Sequence, residues 1–201
     1  MRLLLIRHAE TTANAERLLD TAPPGADLTD LGRTQAAELV ESLGDVPLDA
    51  LYVSDLVRTH QTAAPLAGAR GLVPVVRPGV REIQAGEYEM ASGDGWVPYL
   101  DVLYRWADGQ SDARIPGGES GSEVMARFDA VVAEAAQHGS AAIISHGAVI
   151  RAWTGARAAN VDKAFVADTR LHNTAVIVLD GDPESGWVVD TWANEPVPQL
   201  D

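Results

Sequence analysis

Leu3-Leu4-Leu5-Ile6 runs without a polar break and then meets Arg7-His8; far along the chain, Ala141-Ala142-Ile143-Ile144 meets Ser145-His146. Short apolar runs without alternation are the pattern of strands covered on both faces. Stretches of helical spacing separate them. Thr29 caps a helix through Ala36, Leu39, Val40 and Leu43 that stops at Gly44. Leu51–Val53 reads as a strand. Leu56–Ala69 reads as a helix, with Pro65 expected to kink or shorten it. Val73–Val76 reads as a strand, held to an edge by Pro74. Alternating strands and helices predict the α/β class with a largely parallel sheet. In such sheets ligands bind beyond the carboxyl ends of the strands. Arg7-His8 and Ser145-His146 would therefore face one crevice.

The rest of the chain fits this reading. Arg77–Gly118 is irregular, with a helix expected over about Val97–Ala107. Ser120 and Glu123 have capping-box spacing. They open a helix with Val124, Phe128, Val131, Val132 and Ala135 on one stripe, ended by Gly139. Another helix is expected from Ala148 to about Ala158. Thr174–Leu179 and Trp187–Thr191 read as a hairpin across Asp180–Gly186. With 201 residues, 46% of them hydrophobic, and no repeat or linker, a single domain over 1–201 is expected.

Composition removes several classes. There is no cysteine, so thiolate chemistry and disulfides are excluded. That absence fits a cytoplasmic protein. No apolar run is long enough to span a bilayer, and Leu3–Ile6 is too short for the core of a secretory leader. The net charge is −14, and Lys163 is the only lysine. No basic block suggests a nucleic-acid partner. A homodimer stays open, because neither an apolar helix face nor an exposed edge strand is visible. The acidic surface does not forbid an anionic ligand, since exposed charges are screened beyond about 10 Å.

Among five histidines, His8 and His146 alone share the strand-end context. One histidine there would be an ordinary satisfied residue; two at matching positions, with an arginine beside one, suggest a site. Arg7 cannot shed its proton and must find an anion, either a carboxylate such as Glu10 or Glu82 or a phosphate gripped by its fork. Arg58 sits at a helix start, where free N–H groups also suit an anion. The residues thus suggest an anion pocket with two arginines, two histidines and a candidate acid. A neutral imidazole can attack phosphorus, and a carboxylic acid can protonate the leaving oxygen. Spacing does not choose among Glu82, Glu87 and Glu89 for that acid. His60, His138 and His172, and the aromatic side chains of Trp187 and Trp192, read as ordinary surface and packing residues.

Arg7-His8-Ala9-Glu10-Thr11 resembles the signature of the histidine phosphatase superfamily, which includes the cofactor-dependent phosphoglycerate mutases. The likeness continues through Asn14, Leu28-Thr29-Asp30-Leu31-Gly32, Ser54-Asp55-Leu56-Val57-Arg58-Thr59, Arg81-Glu82 with Gly86 and Glu89, Pro116-Gly117-Gly118-Glu119-Ser120 and Ser145-His146-Gly147. One departure is Ala9, where many members have Gly. The resemblance implies a three-layer α/β/α sandwich around a largely parallel mixed sheet. It makes His8 the nucleophile that takes the phosphoryl group. Arg7, Arg58 and His146 would form the phosphate pocket, with Thr11, Asn14 and the backbone N–H of Gly147 beside it. Glu82 would be the proton donor and later the base for water. No metal or cofactor is implied, because the arginines and a protonated His146 would supply the positive charge.

A mutase must shield its phosphohistidine from water; a phosphatase admits water. Phosphoglycerate mutases usually carry an insertion after the acid, and this chain has a short segment there. That favours hydrolysis of a small-molecule phosphate monoester. A cap over the strand ends is expected at about 85–118, with Arg105 or Arg114 as candidates to meet a second anionic group. Three other readings compete: a mutase, a non-catalytic phospho-ligand binder, and a metallohydrolase using His8 and His146. The last lacks further ligands at suitable spacing, and Arg7 would repel a cation.

Overall fold

A computed structural model describes residues 1–193 and 195–197. Seven strands form one sheet: β1 (Arg2–Arg7), β2 (Ala50–Val53), β3 (Val75–Val76), β4 (Ser140–Ser145), β5 (Val176–Asp182), β6 (Gly186–Trp192) and β7 (Glu195–Pro196). The order across the sheet is β3-β2-β4-β1-β5-β6-β7. β1, β2, β3 and β4 are mutually parallel, while β5, β6 and β7 continue the sheet by antiparallel pairing. The helices are α1 (Thr12–Ala15), α2 (Asp30–Leu43), α3 (Val57–Arg70), α4 (Val97–Ala107), α5 (Gly121–Ala135), α6 (Gly147–Arg157) and α7 (Lys163–Asp168).

The unbroken apolar runs are explained by burial on both faces. Leu4, Ile6, Leu51, Val53, Ala142 and Ile144 point to the layer that carries Leu39 and Leu43 of α2 and Ala63 and Leu66 of α3. Leu3, Leu5, Tyr52, Ala141 and Ile143 point the other way, to Phe128 and Val132 of α5 and Ile150 and Trp153 of α6. The architecture is therefore three layers, α/β/α, around a mixed sheet. Thr29 caps α2 by accepting from Gly32 N at 3.0 Å. Gly32 also lets α2 lie on the turn after β1: a Cβ there would fall 2.0 Å from the Glu10 carbonyl oxygen. Ser120 and Glu123 make the expected capping box of α5.

Two expectations need correction. α3 runs continuously from Val57 to Arg70 with Pro65 inside it, so the proline does not shorten the helix. β5 extends to Asp182, so the hairpin connection is Pro183–Ser185, shorter than the expected 180–186. β3 does lie at an edge of the sheet, and α4 has the expected bounds. α1 and α7 have no counterpart in the sequence reading.

The register positions the crevice. Arg7 pairs with Ser145 across the parallel β1–β4 ladder, and Val53 pairs with Ile144. The residues that follow all three strands therefore leave the sheet together. These are His8, His146 and Ser54.

Candidate active site

His8 and His146 are buried, with ring centroids 5.2 Å apart. His8 Nδ1 lies 2.7 Å from the Ala9 carbonyl oxygen. A carbonyl can only accept, so Nδ1 carries the hydrogen and Nε2 keeps its lone pair in the neutral ring. Burial pushes the His8 pKa well below 6.5, and the positive charges of Arg58 and Arg7 push the same way. Ala9 is fully buried, and its N–H donates to Thr62 Oγ1 at 3.0 Å. Its backbone is not left-handed, so no glycine is required at this position.

His146 differs from expectation. Arg58 Nε donates to its Nδ1 at 3.2 Å. Nδ1 is therefore an acceptor, and the hydrogen sits on Nε2, 2.9 Å from Ser54 Oγ. Ser54 Oγ also accepts from Leu56 N at 3.2 Å, which leaves its own hydrogen for Thr59 Oγ1 at 3.1 Å. Thr59 Oγ1 passes its hydrogen to the Leu56 carbonyl at 2.9 Å or the Ser54 carbonyl at 3.1 Å. Burial and Arg58 hold the His146 pKa well below 6.5. His146 is thus neutral in this arrangement, and the expected protonated ring is corrected: the cations are the arginines.

Arg58 is buried on α3, not a solvated first-turn residue. Asp20 holds it from outside, with Oδ2 3.1 Å from Nη1 and its carbonyl 2.9 Å from Nη2. Asp20 Oδ2 also accepts from Ala26 N at 2.7 Å, fixing the loop before α2. Arg7 pairs with neither Glu10 nor Glu82 by an ion pair. Its Nη1 donates to the Leu171 carbonyl at 2.8 Å, and its buried Nε has no acceptor. Burial lowers the Arg7 pKa, and the charge of Glu82 partly offsets this. Gly147, the first residue of α6, lies against this guanidinium; a Cβ there would stand 3.2 Å from Arg7 Nε.

The three candidate carboxylates separate. Glu82 accepts from Val149 N and Ile83 N at 2.9 Å and from Ala148 N at 3.1 Å. It therefore sits on the positive end of α6, next to His146 and Gly147. Arg127 of α5 holds the same loop by donating to the carbonyls of Gly79, Arg81 and Glu82 at 2.7, 2.8 and 3.1 Å. Glu89 is spent on Thr21 and Ala22, and Glu87 is exposed. Thr11 is buried and caps α1 by accepting from Asn14 N at 3.1 Å. Asn14 Oδ1 accepts from Thr11 N and from Asn173 Nδ2, both at 3.2 Å. The amide N–H groups of Asn14 are what it has to offer a ligand. Asn173 Nδ2 also donates to the His8 carbonyl at 3.0 Å.

A cavity of about 420 Å³ opens at Arg7 and is lined by Glu10, Asn14, Arg17, Leu18, Trp96 and Asn173 among others. Trp96 comes from the segment just before α4. Arg105 and Arg114 do not line it. Arg105 bonds Gln110, and Arg114 bonds Glu123 and the Gly118 carbonyl. Sequence reasoning missed Asp20, Ser54, Asn173 and Arg17. For Ser54 a signal existed: it follows a buried strand just as His8 and His146 do. Among the described residues no group of three or more His, Cys, Asp or Glu could hold a metal ion, and no helix is long and apolar enough to cross a membrane.

Comparison with known proteins identifies the family. The profile of the histidine phosphatase superfamily (branch 1) matches residues 3–195. The probable phosphoglycerate mutase GpmB of Enterobacter sp. (strain 638) is 30% identical, over 97% of this chain and 91% of that protein. The PE-PGRS family protein PE_PGRS11 of Mycobacterium tuberculosis is 31% identical over 96% of this chain, which spans only 36% of that protein's length. Among solved structures, a mycobacterial glucosyl-3-phosphoglycerate phosphatase in complex with VO3 superposes with a TM-score of 0.79 at 28% identity. That match covers 96% of this chain and 98% of the other. With paired strand-end histidines beside Arg7 and Arg58 and a profile match over residues 3–195, this chain belongs to branch 1 of the histidine phosphatase superfamily.

Proposed function

We propose that the chain is a metal-independent phosphomonoesterase that works through a phosphohistidine on His8. One observation carries the proposal: the His8 Nδ1–H bond to the Ala9 carbonyl leaves Nε2 as the free nucleophilic nitrogen of a ring kept neutral between two arginines. The P–O bond to the leaving group breaks as the Nε2–P bond forms. Arg7, with its unmet Nε–H, and Arg58 stabilise the charge on the equatorial oxygens. Asn14 and the Gly147 N–H add donors to this pocket, His146 orients Arg58 by accepting its Nε–H, and Thr11 shapes the pocket through the α1 cap. Glu82 hands a proton to the leaving oxygen. It then takes one from the water that attacks phosphorus and frees His8. Three backbone N–H groups hold the Glu82 carboxylate in place for both steps.

The test is release of p-nitrophenol from p-nitrophenyl phosphate by wild type and by His8→Ala, with and without chelator. The expected result is chelator-resistant release that His8→Ala abolishes, with phosphoprotein accumulating in Glu82→Gln at alkaline pH. Unchanged release by His8→Ala refutes the mechanism. A second reading, phosphoglycerate mutase activity, is favoured by the name of the GpmB relative. Interconversion of phosphoglycerates without free phosphate would select it.

A further inference from the structure

The 420 Å³ cavity falls within the range of about 300–1,000 Å³ that holds whole small-molecule ligands. Arg7 marks its phosphate end. Asn14, Asn173, Leu18, Trp96 and Arg17 line the same cavity as Arg7, so they are the side chains available to a leaving group whose phosphate sits at Arg7. Arg17 is the second cation of this lining. Its guanidinium makes no hydrogen bond or ion pair among the described residues, although Glu10 lines the same cavity. Glu10 is engaged elsewhere, accepting from Thr29 Oγ1 at 2.8 Å.

The backbone of Arg17 adds an independent observation. Its φ is +58°, a left-handed conformation that favours glycine or asparagine. The turn is held by Arg17 N donating to the Asn14 carbonyl at 3.1 Å and Leu18 N to the Ala13 carbonyl at 2.8 Å. An arginine in a backbone conformation that favours glycine, with its side chain lining a cavity, is consistent with a use for that side chain. Arg58 is buried and Arg7 half-buried at the phosphoryl end, whereas the Arg17 side chain is exposed and has no hydrogen-bond or ion-pair partner among the described residues. On a chain of net charge −14, a free guanidinium in a cleft makes a local site for an oxyanion.

We propose that Arg17 is a specificity-determining residue that receives a second oxyanion, a carboxylate or a phosphate, on the leaving group. The role for which Arg105 and Arg114 were candidates is thus given to a residue of the turn after α1. Trp96 lends the same cavity apolar surface, and Glu10 lends it a negative charge. The assignment deepens the phosphomonoesterase reading and rests on it for the identity of the phosphate end.

The test uses two ester pairs on the full chain. 3-Phosphoglycerate is compared with glycerol 3-phosphate, and fructose 1,6-bisphosphate with fructose 6-phosphate. The first pair reports a carboxylate and the second a phosphate. Arg17→Gly removes the side chain without a backbone penalty, and Arg17→Lys keeps the charge. The expected result is a preference for the doubly anionic member of at least one pair. Arg17→Gly should weaken it about tenfold through KM, with kcat and the handling of the member lacking the second anionic group unchanged, the size of one charge-assisted hydrogen bond. Arg17→Lys should restore most of it. The same comparison is made by calorimetric binding to His8→Ala protein. If no ester is turned over but Arg17→Gly still removes the binding preference, the phosphatase reading fails and the Arg17 assignment stands. Turnover or binding without any such preference, no binding of either pair, or equal losses for both members of each pair overturn the Arg17 assignment.

Discussion

Two buried neutral histidines make stability depend on mild acid. His8 and His146 have folded pKa values well below 6.5, from burial first and the positive charge of Arg58 next. In the unfolded chain each titrates near 6.5. The unfolded state therefore binds more protons as pH falls below that value, and stability is lost between 6.5 and the folded values. Above about 6.5 the stabilisation is fully present. With the folded rings neutral, lowering the pH from 6.5 to 5.5 costs about 1 kcal/mol per ring, or about 2 kcal/mol for the pair. Carboxylates, with unfolded values near 4, contribute little in this window. The assay is urea denaturation of wild type, His8→Gln and His146→Gln at both pH values. Each substitution should remove about 1 kcal/mol of the pH-dependent loss. Absolute destabilisation of a variant does not matter, since the readout is a difference within each protein, and the other histidines cancel. The same pH-dependent loss in wild type and both variants refutes the burial argument.

Other substitutions test the supports of the site. Ser54→Ala orphans the buried His146 Nε2–H and Leu56 N–H; a loss of about 2 kcal/mol is expected by denaturation, and a neutral effect would contradict the inferred tautomer. Asp20→Ala removes the carboxylate from buried Arg58; a loss of about 3 kcal/mol is expected, with Asp20→Asn milder, and a change under about 1 kcal/mol would show the pair is not needed. Arg7→Ala should abolish phosphatase turnover while Thr11→Ala, which loses only the α1 cap, keeps most of it and costs about 1 kcal/mol of stability. Equal losses of activity would show that Thr11 touches the substrate.

The local signals were legible because they depend on neighbours in sequence. Apolar runs marked β1 and β4, Thr29 and Ser120 marked helix starts, and the strand-end rule picked out His8 and His146. Resemblance to the family picked out Glu82 and set Arg7, Arg58, Thr11, Asn14 and Gly147 beside the two histidines. α1 and α7, of four and six residues, are too short to carry a period, and they were not seen. Pro65 misled in the other direction, since tertiary packing of Ala63, Leu66 and Ala67 holds α3 together through it.

What the sequence determined by itself is the inventory: an α/β chain, two strand-end histidines, two arginines and several candidate acids. Tertiary structure decided which of these meet and in what state. The Arg7–Ser145 register brings two histidines together from positions more than a hundred residues apart. The N-terminus of α6 captures Glu82, while Thr21 and Ala22 take Glu89. Arg58 Nε sets the tautomer of His146, and burial keeps both rings neutral. Asp20 behind Arg58 and Arg17 at the cavity mouth come from an irregular segment without periodicity. Their places follow from long-range hydrogen bonds and desolvation, which depend on the folded surroundings of a residue and leave no trace in its sequence neighbours.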